Sequence, residues 1–122
     1  MTIKEALEAA DRLRANQFRQ EEKISWLSRL DGRIYRELIV PRSGDEEDGF
    51  KPYTAADVNK ELLASYPYDE LYLHYLISQM DFYNAEISRY NNSSAMFNTV
   101  YNEFEAAYNR DHMVVKNEKF KW

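Results

Sequence analysis

The sequence predicts an all-α fold: a helical bundle of three to four helices with one very long C-terminal helix, about residues 68–110, and an extended C-terminal arm over 112–122. Three observations predict it. Apolar and aromatic residues recur at alternating steps of three and four, through Leu73, Leu76, Met80, Tyr83, Ile87, Tyr90, Ser94, Phe97, Tyr101, Phe104 and Tyr108, with Ser94 the one polar member; that spacing draws a single stripe along a helix. Neither glycine nor proline occurs after Pro67. Helix-start signals precede each of the apolar segments.

The first helix is expected over 2–15. Thr2 followed by Glu5 has capping-box form, in which hydroxyl and carboxylate each take a free amide, and Ile3, Leu7, Ala10 and Leu13 make a short stripe. The second is expected over 19–40, with Glu21 and Glu22 in the first turn, where the helix dipole favours acids. Its buried face is Ile24, Leu27, Leu30, Ile34 and Leu38, supported by Trp26, Tyr35 and Ile39, and Pro41 is expected to stop it. Gly32 interrupts this pattern at about 1 kcal/mol relative to alanine, either to let another helix approach or simply as a weak point.

Residues 41–53, PRSGDEEDGFKPY, read as a solvated acidic loop. The four consecutive acids from Asp45 to Asp48 lack the ligand-and-spacer alternation of a calcium loop. A short amphipathic helix is expected over 54–64 after the Thr54–Asp57 start signal, with Val58, Leu62 and Leu63 on its apolar side. Pro67, Asp69 and Glu70 then suit the first turn of the long helix. Asn91-Asn92-Ser93-Ser94 has poor helix propensity, yet the stripe passes it in register, which favours a continuous or gently kinked rod over a break. Beyond Arg110, Met113-Val114-Val115 and the stretch to Trp122 read as extended.

A rod of that length, roughly 60 Å at 1.5 Å per residue, exceeds what 122 residues can cover. The expectation is therefore assembly with other copies, through candidate interface residues Tyr83, Tyr90, Phe97, Tyr101, Phe104, Tyr108, Phe120 and Trp122. Tyrosine suits such contacts because it joins an apolar ring to a hydrogen-bonding hydroxyl.

Composition narrows the function classes. A formal net charge of −5 and a pI near 5.1 disfavour a general nucleic-acid binder. Residues 66–111 hold two basic and seven acidic side chains, whereas 112–122 hold three lysines and one glutamate, so a basic, aromatic arm docking on a neighbour's acidic body is one reading and a frayed terminus the other. With no cysteine there is no disulfide, thiolate metal site or cysteine nucleophile. No secretory, targeting or transmembrane stretch is seen, so a membrane partner is not expected. The glycosylation-type triplets at Asn91 and Asn92 consequently carry no weight.

Nothing in the residues points to chemistry. Glu70 and His74 lie one turn apart but lack further ligands, and His112 follows Asp111 at a helix end, where a cation is favoured. There is no Gly-x-Ser-x-Gly turn and, with three glycines in all, no phosphate-binding loop. The expectation is a protein with no catalytic residue, cofactor or metal.

Two stretches together carry a resemblance. The first is Trp26-Leu27-Ser28-Arg29-Leu30-Asp31-Gly32-Arg33-Ile34, closing with Glu37. The second is Tyr66-Pro67-Tyr68-Asp69-Glu70-Leu71-Tyr72, continuing through Gln79–Glu86 and Arg89–Ser93 to Phe97-Asn98 and Tyr101. They resemble small helical head–tail connector, or head-completion, proteins of tailed bacteriophages and prophages of Gram-positive gut bacteria, over most of residues 17–110. The resemblance implies a virion subunit, made in the host cytoplasm, that forms a ring of about twelve copies beneath the portal. Such a ring contacts the portal protein and the next tail or neck component, and DNA only passes through its channel; no catalytic residues carry over. Two other readings remain at this level: a transient helical scaffold or adaptor that leaves the particle, and a nucleic-acid-binding regulatory module, which the charge disfavours.

Overall fold

The computed structural model describes residues 1–112 except 45, 47 and 48. It is all-α, with a long helix at the end of the described chain. Helix α1 spans Ile3–Leu13, α2 Gln20–Ile34, α3 Val40–Ser43, α4 Leu71–Tyr83 and α5 Ile87–Asp111. Short 3-10 turns occupy Ala55–Asp57 and Tyr68–Glu70. The expected arm, Phe120 and Trp122 included, lies outside the described residues apart from His112.

The α1 cap forms as the sequence predicts: Thr2 Oγ1 accepts from the Glu5 amide at 3.1 Å and Glu5 Oε1 accepts from the Thr2 amide at 2.8 Å. At the start of α2 only half of such a box forms: the Arg19 amide donates to Glu22 Oε1 at 3.0 Å, and no side chain caps the helix in return. Ile3, Leu7 and Ala10 of α1 and Ile24, Leu27, Leu30 and Ile34 of α2 are all buried in one core, which continues through Leu71, Tyr72, Leu76 and Met80 of α4 and Phe97, Val100, Tyr101 and Phe104 of α5.

Three expectations need correction. Pro41 does not end the second helical segment. A π-helical turn at Tyr35–Ile39 widens the helix just before it, with the Val40 amide donating to Tyr35 O, and this relieves the clash and missing amide that proline brings to a regular helix. The segment runs on as α3 and ends at Gly44, whose φ of 79° is the left-handed cap.

The helix expected over 54–64 is a single 3-10 turn followed by irregular chain. Its backbone is engaged elsewhere. The Lys60 and Val58 carbonyls accept from the otherwise free amides of Ile3 and Lys4 at 3.0 and 2.8 Å, and the Leu62 amide donates to Met1 O at 2.9 Å. The segment caps α1 instead of coiling on itself.

The rod expected over 68–110 is divided. It breaks at Asn84–Glu86, upstream of the Asn91–Ser94 stretch, and α5 turns back along α4. The Glu86 amide donates to Asp81 O at 3.0 Å and the Ala85 amide to Phe82 O at 3.1 Å, the paired bonds of a Schellman stop with Ala85 in the left-handed position at φ 56°. Asn91–Ser94 lies inside the unbroken α5. The apolar surface of the two halves is largely spent on each other: Tyr75 packs on Phe97 with ring centroids 5.1 Å apart, and Tyr68 on Phe104 at 6.1 Å. An over-long strut therefore no longer argues for assembly.

Candidate functional site

The α4–α5 reversal is built on a fixed base. Asp81, in the last turn of α4, is buried; its carboxylate pairs with Arg14 at the C-cap of α1 and accepts from Ser93 Oγ of α5 at 2.9 Å. Gln17 Nε2 donates to Asn84 Oδ1 at 2.9 Å, tying the α1–α2 connection to the turn. Three helices thus hold the reversal in place.

Above that base the surface is apolar. Tyr83 lies flat against Trp26, centroids 5.5 Å apart and planes 5° from parallel, with Phe18 edge-on to Trp26 at 5.2 Å. Phe82 continues the row, 5.1 Å from Tyr83 and 5.5 Å from Tyr90. Phe82 is 55 % exposed, Tyr83 53 % and Ile87 73 %. A hollow of about 200 Å³ opens among Phe82, Ala85, Ile87 and Tyr90, floored by Asp81 and edged by Glu86. Glu86 is bridged to Arg89 at 3.2 Å. Large exposed apolar side chains gathered at one end of a small protein mark a contact surface more often than a reaction centre.

The residues expected at an interface separate into two groups. Tyr83 and Tyr90 belong to this tip. Phe97, Tyr101 and Phe104 are buried inside the chain's own core, Tyr101 with the Arg33 guanidinium 4.9 Å over its ring. Tyr108 is half-buried, 5.9 Å beneath Arg42, and carries the His112 ring stacked at 3.9 Å. Phe120 and Trp122 lie outside the described residues. Phe82 and Ile87 were not among the expected contacts, yet the sequence held a signal for one of them. Phe82 falls off the three-and-four stripe, so a helix that buries Met80 turns Phe82 outward. Ile87 lies on the stripe and is exposed only because the chain breaks just before it.

A second polar knot lies deeper. The Asp31 carboxylate, with no exposed surface, accepts from Tyr53 Oη at 2.6 Å, Tyr72 Oη at 2.6 Å and the Leu63 amide at 3.0 Å. Tyr72 Oη in turn accepts from the Ala64 amide at 2.7 Å. Burial raises the Asp31 pKa, an effect the three donors oppose, and burial followed by the Asp31 charge pushes both phenols up. The knot joins α2, the 53–64 connection and α4. Beside it, a groove of about 580 Å³ runs between α2 and residues 50–55; Ser28 Oγ in its wall is already taken by the Tyr53 amide at 3.0 Å.

Among the described residues no cluster of three or more histidines and carboxylates could hold a metal ion. His74 lines a different groove, with Arg14, Ile77 and Arg89. No described helix is long and apolar enough to cross a membrane. No protein-family model, characterised protein or solved structure matches the chain.

Proposed function

We propose that this chain is a non-enzymatic structural subunit of a tailed phage or prophage, a head–tail connector that forms a ring on the portal and contacts the next neck component. The observation that carries the reading is the exposed tip of the α4–α5 hairpin, where Phe82, Tyr83, Ile87 and Tyr90 present apolar surface on a base braced by Arg14, Asp81 and Ser93. A rigid element with a greasy end is suited to seating in a neighbour. The two stretches that resemble connector proteins are also joined physically, since Asp31 of the first accepts from Tyr72 of the second.

Mass spectrometry of purified particles tests this. The chain should be retained in mature virions at a copy number comparable to the portal subunit. Presence in assembly intermediates followed by loss from the finished particle would replace this reading with that of a transient adaptor.

A further inference from the structure

We propose that the hollow at the α4–α5 tip receives the Phe120 side chain from a second copy of this chain. The inference rests on the assembling-subunit reading above and specifies its contact. An apolar cavity of about 150 Å³ accepts a benzene ring; the tip hollow, at about 200 Å³ among Phe82, Ala85, Ile87 and Tyr90, has room for one aromatic side chain. Phe120 and Trp122 are the aromatic residues of the chain beyond the described part.

Reach decides which copy supplies them. The hollow lies where α5 begins, and residue 113 follows the opposite end of that helix. Tyr90 to His112 spans about 33 Å at 1.5 Å per residue. Phe120, eight residues beyond His112, extends at most about 28 Å, and Trp122 about 35 Å with the backbone fully drawn out. Phe120 falls short of its own hollow and Trp122 reaches it with no slack. A neighbouring copy's tip carries no such restriction.

Charge favours the same pairing. Residues 112–122 hold three lysines and one glutamate, against 13 basic and 20 acidic side chains in residues 1–111, so the segment is attracted to an acidic body, and with its own hollow beyond the reach of Phe120 that body is a neighbour's. A contact between one end of a subunit and the opposite end of the next is heterologous, and such contacts close into rings when the rotation permits.

The chain has no cysteine, which makes the test direct. Ile87→Cys and Trp122→Cys are prepared in separate full-length chains and mixed under mild oxidation, with Asn102→Cys, on the exposed side of α5, replacing Ile87→Cys in the control. Docking raises the local concentration of the paired thiols, so the Ile87–Trp122 mixed disulfide should form at least about tenfold faster than the control pair. A chain carrying both Ile87→Cys and Trp122→Cys should give multi-chain ladders. Mixed disulfides no faster than the control, or a single-chain loop in the double variant, would overturn the proposal. Cross-linking reports on the segment and hollow alone and particle mass spectrometry on the neck assignment, so the two can fail separately.

Discussion

A carboxylate without accessible surface must be held by donors, and Asp31 has two phenols and an amide. Asp31→Ala removes a desolvated charge but strands all three donors, for a net loss on the order of 2–3 kcal/mol, read by urea unfolding. The pH dependence has a distinctive sign. Because burial raises the Asp31 pKa above its ordinary 3.8, the folded state keeps a proton that the unfolded chain has already released. Stability from this site is therefore greatest below that ordinary value and declines as pH rises through the raised one. The stability of the wild type minus that of Asp31→Asn should fall as pH increases from 3.8; a flat difference would show the carboxylate to be well solvated, and a rising one that the three donors outweigh its burial. Tyr101 offers a simpler case. Its hydroxyl is buried with no hydrogen-bond partner among the described residues, so Tyr101→Phe should leave stability unchanged or raise it by up to about 1 kcal/mol, and a clear loss in thermal melts would reveal a partner.

Two backbone positions set the elements, and they call for opposite substitutions. Ala85 holds a left-handed conformation that costs an L-residue about 1–2 kcal/mol, so Ala85→Gly should stabilise the protein by about 1 kcal/mol. Gly32 lies inside α2, and a Cβ there would meet Phe50 of the returning chain at 3.5 Å, an ordinary contact. Gly32→Ala should likewise add about 1 kcal/mol; destabilisation in either variant would contradict the local geometry. These positions also mark what the sequence could and could not disclose. The α1 and α2 stripes and the α1 cap were legible because periodicity and capping chemistry act over a few residues. The break in the rod was not, since its stop uses Asn84 and Ala85 where glycine is the usual marker, and the stripe resumes in register at Phe97. The 54–64 segment misled for a different reason. Its start signal is real, with Thr54 and Asp57 hydrogen-bonded across the turn, but the free amides of α1 claim the carbonyls that would have continued it.

On the scale of the whole molecule, folding the rod into a hairpin reverses where assembly must be sought. The aromatic stripe that suggested a long contact face instead holds α4 to α5, leaving a short apolar tip as the exposed remainder. Ile87 is 73 % exposed, so Ile87→Glu should shift the unfolding midpoint little, within about 0.5 kcal/mol, while placing a charge in the middle of the proposed contact. Sedimentation of the chain with the proposed portal partner, for the wild type and Ile87→Glu side by side, tests that separation of folding from assembly most directly. The wild type should co-sediment as a ring and Ile87→Glu should remain a folded free subunit; a wild type that ignores the portal, or an Ile87→Glu chain that assembles as readily, would contradict it.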